Sequence, residues 1–185
     1  MKFKEFAESY INQLHKLLNE LDLNEFEKFY NLLKNHESKI YIIGNGGSSA
    51  TASHMTNDLA IGLKRRDKKV LDAICLSDNS AVSYAISNDI GFENVFYMQL
   101  KDILKPQDIV IAISCSGNSP NIVKAVEYAK EINSTIVGLT GFDGGKLKEL
   151  STIKLHSQTA KDEYGLVEDI HSIINHIVFT YFQRT

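Results

Sequence analysis

Two short segments rich in glycine and serine each follow an apolar run of the sequence. Residues 44–50 read GNGGSSA, and residues 114–120 read SCSGNSP. Glycines let backbone N–H groups approach an oxyanion, serine hydroxyls donate further hydrogen bonds, and a helix that begins after such a segment adds its positive end. Neither segment contains a lysine, and Ser49 stands where a dinucleotide fingerprint has its third glycine. The two segments therefore predict a phosphate site that is neither a Walker A loop nor a dinucleotide site.

Histidines and carboxylates in two other segments have the chemistry of an acid–base or metal site. His54 and Asp58 are four residues apart, which places both side chains on one face of a helix. Imidazole and carboxylate groups suit Zn²⁺ and other borderline divalent ions. A second polar cluster occupies the last predicted helix, and its members are Glu168, Asp169, His171 and His176.

The spacing within this last helix limits which of its residues can act together. Residues eight apart, such as Glu168 and His176, are separated by about 12 Å along a helix axis and by about 80° in direction. They are not expected to bind the same ion unless the helix bends or begins late. Asp169 is better aligned with His176, and His171 is aligned with Glu168. We interpret His171 as a structural or supporting residue.

The composition is typical of a single globular domain. The chain has 185 residues, 43 % hydrophobic and 23 % charged, with a net charge of −3, which excludes disordered and collagen-like proteins and a basic nucleic-acid surface. Apolar runs are shorter than the roughly 18 residues that cross a bilayer. The N-terminus lacks a secretory signal, and two cysteines cannot form a disulfide framework. We therefore expect a cytoplasmic protein with no nucleic-acid or membrane partner.

The elements that must hold these groups alternate between strands and helices. Predicted strands cover residues 39–44, 70–76, 108–113, 135–140 and 152–155. Predicted helices cover residues 3–21, 24–34, 48–63, 79–87, 118–132, 146–150 and 167–182, with Asn24 as the N-cap of the second. This alternation predicts a doubly wound α/β fold, a parallel five-stranded sheet flanked by helices. Ligands bind at the carboxyl ends of the strands of such sheets, where both glycine–serine segments fall.

Residues 1–37 contain two predicted helices that precede the first strand. Each carries apolar side chains at helical spacing, and these faces must be buried somewhere. A partner subunit is one candidate, so we interpret residues 1–37 as an oligomerising part of the chain.

Four segments of the chain together carry a family resemblance. They are GNGGS at 44–48 followed by His54, SNDIGF at 87–92, ISCSGNSPN at 113–121 and GLTGFDGGK at 138–146. These segments resemble phosphoheptose isomerases, which are D-sedoheptulose 7-phosphate isomerases of the sugar isomerase (SIS) domain superfamily. The resemblance covers essentially the whole chain and implies a single SIS domain over residues 1–185. It also implies a homotetramer with active sites at the subunit interfaces.

The resemblance implies that the serine-rich loops bind the phosphate of a phosphorylated sugar. Cys115 occupies the place of a family threonine, and we interpret it as a loop residue that contacts substrate and not as a nucleophile, since no histidine is near it in sequence. The expected substrate-binding residues are Asn45, Gly46, Gly47, Ser48, Asp89, Ser114, Cys115, Ser116, Ser119 and Glu168.

The resemblance further implies a zinc ion and an acid–base pair. One Zn²⁺ per subunit is expected on His54, Asp58, Glu168 and His176, with Asp58 as the catalytic base and His176 as its acid–base partner. Asp58 stands for a family glutamate and Glu168 for a family glutamine. An aspartate reaches about 1.5 Å less far than a glutamate, and a misplacement of about 1 Å can cost on the order of 100-fold in rate.

The expected reaction interconverts D-sedoheptulose 7-phosphate and D-glycero-D-manno-heptose 7-phosphate through a cis-enediol, and it would supply heptose for lipopolysaccharide or capsule. Two alternatives stay open. One is a non-catalytic SIS module that binds a sugar phosphate or the bacterial replication initiator, and the other is an isomerase of a different phosphosugar. A regulator would keep the serine loops and lose the acid–base pair, so the presence of His54 and His176 favours an enzyme.

Overall fold

The computed structural model describes residues 2–185 and contains a five-stranded parallel sheet. Its strands are β1 (Lys39–Gly44), β2 (Asp72–Cys75), β3 (Ile109–Ser114), β4 (Thr135–Thr140) and β5 (Ile153–His156). Their order in the sheet is β2-β1-β3-β4-β5, and every neighbouring pair is parallel. The predicted fold class is confirmed.

Helices connect the strands. They are α1 (Phe3–Asn19), α2 (Leu23–Asn35), α3 (Gly46–Thr56), α4 (Ser80–Ile90), α5 (Val95–Leu100), α6 (Pro120–Glu131), α7 (Gly145–Leu150) and α8 (Tyr164–Arg184). A π-helical segment, Asn57–Gly62, continues α3, and 3₁₀ turns cover Lys64–Arg66 and Phe92–Asn94. Within residues 2–185, no helix combines the length and the apolar character needed to cross a membrane.

The sheet is covered on both faces because consecutive side chains of a strand point in opposite directions. In β1, Ile40 and Ile42 pack into the core shared with α2, α3 and α8. Tyr41 and Ile43 pack into the core shared with α5, α6 and α7. Every residue of the central strand β3 is buried, as expected for a doubly wound sandwich.

Three details of the sequence prediction are corrected: the starts of two helices and one helix that was missed. Asn24 does not cap α2, because Asp22 is the N-cap and its carboxylate accepts a hydrogen bond from the Asn24 N–H at 2.9 Å. The last helix begins at Tyr164 instead of residue 167. The helix Val95–Leu100 was not predicted, since six residues make fewer than two turns and show no readable period.

β1 and β3 lie side by side at the centre of the sheet, with Gly44 opposite Ile113. The chain continues from β1 to the strand on one side and from β3 to the strand on the other. Such a reversal leaves a crevice between the two strands at their carboxyl ends. The segments 44–50 and 114–120 begin at this crevice, so the topology brings the two glycine–serine segments together.

The two N-terminal helices differ in how far the chain buries them. α2 buries Phe26, Phe29 and Leu33. Among the residues that the structure describes in α1, none is buried, and Phe3 is 84 % exposed. The hydroxyl of Tyr10 on α1 donates to Asp169 Oδ2 on α8 at 2.7 Å. Leu14, Leu17 and Leu18 of α1 pack partly buried against the core, whereas Phe3, Phe6 and Ile11 stay exposed within one chain.

Candidate active site

A cleft of about 280 Å³ opens at the carboxyl ends of β1 and β3. The two glycine–serine segments form most of its wall, and the first turns of α8 form one side. Its lining residues are Asn45, Gly46, Gly47, Ser48, Ile113, Ser114, Cys115, Ser116, Ser119, Tyr164 and Glu168. Nine of the ten residues predicted to bind substrate therefore line one cleft, and the exception is Asp89.

Internal hydrogen bonds hold the second segment in a tight turn. The Gly117 N–H donates to Ser114 Oγ at 3.1 Å, and the Asn118 N–H donates to Ser116 Oγ at 3.2 Å. Ser119 Oγ lies 3.5 Å from Ser114 Oγ. Ser116 Oγ accepts its bond, so its hydroxyl hydrogen can donate to an anion, and within the Ser114–Ser119 pair at least one hydroxyl hydrogen can do the same.

Residues 143–146 support this turn from the outside of the cleft. The Lys146 N–H donates to Asn118 Oδ1 at 3.0 Å, and the N–H of the following residue, Leu147, donates to the carbonyl of Gly117 at 2.9 Å. Gly117 has a φ of +63°, and a Cβ at this position would overlap the carbonyl of Gly144. Only glycine allows this close backbone approach at a left-handed φ. The segment 143–146 therefore positions the serine turn and does not itself line the cleft.

The cleft offers neutral donors and one charged side chain. Among residues 2–185, its lining includes no Lys, Arg or His, and the carboxylate of Glu168 lies against Gly47. Burial, and to a lesser extent the charge of Glu168, raise the pKa of the Cys115 thiol to about 11. The thiol is therefore protonated at neutral pH, which agrees with its interpretation as a loop residue and not a nucleophile.

The predicted acid–base residues meet where α3 ends beside the middle of α8. His54 Nε2 lies 3.0 Å from His176 Nε2 and 3.2 Å from Asp58 Oδ2. One potential ligand atom from each of the three residues lies within 4.8 Å of the others. One hydrogen on His54 Nε2 cannot point fully at both neighbours, whereas a divalent cation can accept both imidazoles and a carboxylate. Two histidines and one carboxylate form a ligand set that catalytic Zn²⁺ and Fe²⁺ sites use.

Asp58 is buried and is held by two amide side chains. Asn175 Nδ2 donates to Asp58 Oδ2 at 2.8 Å, and Asn57 Nδ2 lies 3.5 Å from Asp58 Oδ1. Asn175 is itself 2 % exposed. Asp58 is also the second residue of the π-helical segment, a kind of wide turn that often occurs at functional sites. Asn175 was not predicted, and its one sequence signal is its place beside His176.

Comparisons with known proteins identify the family of the chain. The SIS domain profile matches residues 6–141. A phosphoheptose isomerase from Helicobacter pylori (strain P12) is 38 % identical over 149 residues, which cover 80 % of this chain and 76 % of the relative. One from Trichlorobacter lovleyi is 40 % identical over 137 residues, covering 72 % and 69 %. The chain belongs to the phosphoheptose isomerase family.

Solved phosphoheptose isomerases have the same fold as this chain. The protein from Neisseria gonorrhoeae is 25 % identical with a TM-score of 0.86, and the two chains cover each other completely. The protein from Francisella tularensis is 26 % identical with a TM-score of 0.85, over 98 % of this chain and 96 % of that one. The family resemblance stated from the sequence motifs is therefore confirmed.

In this member of the phosphoheptose isomerase family, Glu168 is not part of the group formed by His54, Asp58 and His176. Its carboxylate lies instead in the cleft. The reason is helix geometry, because α8 runs without interruption from Tyr164 to Arg184 and eight residues of an α-helix separate Glu168 from His176 by about 12 Å along the axis. The predicted fourth metal ligand is therefore separated from the other three within one chain.

Two further residues singled out from the sequence lie away from the cleft. Asp89 is exposed near the end of α4 and accepts a hydrogen bond from Asn88 Nδ2 at 2.9 Å. Its role in substrate binding stays a prediction. His171 is buried, and burial lowers its pKa to about 4. A histidine inside the packed core, away from the cleft lining, fits the structural interpretation.

Proposed function

We propose that this phosphoheptose isomerase family member interconverts D-sedoheptulose 7-phosphate and D-glycero-D-manno-heptose 7-phosphate. The observation that carries the proposal is that the cleft and the acid–base group lie along one face of α3. Gly47 in the cleft and His54 in the acid–base group are seven residues apart, about 10.5 Å in rise and within about 20° in direction. α8 runs alongside, with Glu168 beside Gly47 and His176 beside His54.

This separation fits a long phosphorylated sugar in its open-chain form. Six C–C bonds of about 1.5 Å, arranged in a zigzag, span roughly 8 Å, and the ester linkage extends the molecule to roughly 10 Å. A phosphate held by the serine hydroxyls and by the N-terminus of α3 would then place carbons 1 and 2 beside Asp58 and His176. Binding at both ends also orients the reacting carbons, which supplies much of the rate enhancement in such reactions.

The residues of the acid–base group suit a proton transfer between adjacent carbons. Asp58 Oδ2 is occupied by the Asn175 amide, and Oδ1 has one long contact at 3.5 Å, so Oδ1 is available as the base. Asp58 would take the proton from C1 of the ketose and return it to C2, which forms and then consumes a cis-enediol. With its Nε2 free, His176 would move the accompanying proton from O1 to O2 of the sugar; an Nε2 that binds a metal ion has no lone pair left for a proton, so His176 would then act as a ligand.

We propose Zn²⁺ as the ion that His54, Asp58 and His176 hold, one per subunit. When bound, such an ion polarises the substrate carbonyl and stabilises the negative charge of an enediolate. The convergence of the two Nε2 atoms and Asp58 Oδ2 supports this proposal. We expect one equivalent of zinc in the purified wild type by elemental analysis and its loss in His54→Ala.

The proposed reaction is tested with purified protein and a panel of phosphorylated ketoses and aldoses, followed by NMR with and without a chelator. Wild type is expected to convert sedoheptulose 7-phosphate. Asp58→Asn should lower kcat by at least about 100-fold, because general acid–base groups contribute about 10²–10⁴-fold. Asp67→Asn, at an exposed aspartate with a left-handed φ that asparagine tolerates, is the matched control. If folded wild type supplied with metal does not convert sedoheptulose 7-phosphate, the proposed isomerase activity is excluded.

We further propose that the protein acts as a homotetramer in the cytoplasm and supplies heptose for lipopolysaccharide or capsule. The exposed apolar side chains of α1, among them Phe3 and Ile11, support an assembly in which other copies cover them. Light scattering after size exclusion tests this point. The expected mass is four times that of the 20.8 kDa chain, and a monomeric mass would contradict it.

A further inference from the structure

Asn45 and Asn121 form a reciprocal pair of amide hydrogen bonds between the two loops of the cleft. Asn45 Nδ2 donates to Asn121 Oδ1 at 2.9 Å, and Asn121 Nδ2 donates to Asn45 Oδ1 at 2.8 Å. Asn121 is completely buried. The pair joins the end of β1 to the first turn of α6, and it engages one N–H and the oxygen of the Asn45 carboxamide. The side-chain oxygen of Asn45 is thus bonded to Asn121 and not to the N–H groups at the start of α3.

The pairing diverts Asn45 from the bond that its position favours. Asn45 is the N-cap residue of α3, where an asparagine ordinarily accepts a hydrogen bond from the N–H of the second or third helical residue. Asn45 makes no such bond. Within residues 2–185, the N–H groups of Gly46, Gly47 and Ser48 have no protein acceptor. All three residues line the cleft, so their N–H groups are available to an anion.

The N-terminus of α6 has fewer free donors. Its first residue, Pro120, has no N–H, and the Ile122 N–H donates to Asn121 Oδ1 at 3.0 Å. The Val123 N–H is bonded to the carbonyl of Ser119 at 2.9 Å. The backbone donors for a phosphate therefore come mainly from α3, and α6 contributes the residue that keeps them free.

We propose that Asn121 is a positioning residue for phosphate binding, which holds the Asn45 carboxamide away from α3 and so keeps the Gly47 and Ser48 N–H groups free. This inference rests on the proposed function. In the absence of the Asn121 side chain, Asn45 can turn and cap α3. The cap then competes with the phosphate for the same donors. A typical N-cap is worth about fivefold in an equilibrium constant, which sets the size of the expected loss.

The test measures binding of sedoheptulose 7-phosphate by calorimetry in the Asp58→Asn background, which prevents turnover. We expect Asn121→Ala to raise the dissociation constant about fivefold. The double variant Asn45→Ala with Asn121→Ala should bind at least about threefold more tightly than Asn121→Ala alone, because no carboxamide is left to cap α3. The matched control is Asn24→Ala, which should leave binding unchanged. Asn24 is exposed and is the second residue of α2, just as Asn121 is the second residue of α6.

A different result is expected if the Asn45–Asn121 pair only holds the two loops together and has no effect on the N–H groups of α3. Under that explanation the double variant binds no better than Asn121→Ala, and this outcome overturns the inference, as does unchanged binding by Asn121→Ala. If Asn121→Ala does not fold, Asn121→Ser retains a polar group at the buried position. We expect Asn121→Ser to bind more weakly than the Asp58→Asn background, and to bind more tightly again when Asn45→Ala is added. Failure of the Asp58→Asn background itself to bind the ester removes the proposed function, a result that the variants of Asn121 do not produce.

Discussion

His171 is expected to make the fold sensitive to acid. Its side chain is 1 % exposed, and neither ring nitrogen has a hydrogen-bond partner among the residues that the structure describes. Removal from water penalises the charged imidazolium, and this burial lowers the pKa of His171 from 6.5 to about 4. The neutral ring is therefore the form that the folded protein accepts.

The direction and size of the effect follow from proton linkage. Between pH 4 and 6.5 the unfolded chain binds more protons at His171 than the folded chain, so the free energy of unfolding falls as the pH falls through this range. The full stabilisation is present above about pH 6.5. At pH 4.5 the two pKa values correspond to a loss of about 2.5 kcal/mol, at 1.36 kcal/mol per pKa unit.

Urea unfolding at pH 7.5 and pH 4.5 measures this loss. Carboxylates and other histidines also titrate between these values, so the quantity that isolates His171 is the difference between wild type and His171→Leu. We expect the acid-induced loss to be about 2.5 kcal/mol smaller in His171→Leu. His15→Leu, at an exposed histidine of α1, should lose as much as wild type. Equal losses in all three proteins would refute the reasoning.

Three further predictions concern the cleft and its supports. Glu168→Gln removes the one charged side chain that the described residues place in the cleft lining. Because a carboxylate repels an anion, calorimetry should show that inorganic phosphate binds the variant about 3- to 10-fold more tightly than wild type. Unchanged or weaker binding would contradict this account of the cleft. Asn175→Leu removes the hydrogen bond to the buried carboxylate of Asp58, and a bond to a charged group is worth about 1.5–3 kcal/mol. We expect kcat to fall at least about tenfold and the pH profile of kcat to shift, with KM little changed. An effect confined to KM would contradict the role of Asn175 in holding Asp58. Gly117→Ala should lower the free energy of unfolding by at least about 2 kcal/mol in urea titrations, because Gly117 has a left-handed φ and the new Cβ would overlap a neighbouring carbonyl. A change below about 0.5 kcal/mol would show that the turn relaxes to accept the methyl group.

Much of the fold and part of the site could be predicted because they depend on local patterns. The apolar run at 109–113 is long enough to indicate a buried strand, and the alternation of such runs with helices indicates a parallel sheet. The segments 44–50 and 114–120 can be recognised by their high content of glycine and serine. Because each follows a strand, both are expected at the same edge of the parallel sheet. The aligned pair of His54 and Asp58 follows from a spacing of four residues, and the structure keeps that pair together.

Contacts between elements far apart in the chain required the tertiary structure. His176 lies 122 positions from His54, and Asn175 lies 117 positions from Asp58, so no local period relates them. The sequence alone predicted most of the helices and strands, with the exception of Val95–Leu100, and it singled out the two loops that we propose to bind phosphate, because backbone dihedrals and short-range hydrogen bonds govern those features. The packing of α3 against α8 decided that Glu168 faces the cleft while His176 faces His54, and the meeting of two loops decided that Asn45 bonds to Asn121. These outcomes depend on where two helices and two loops come into contact in space, which is a property of the whole packed chain.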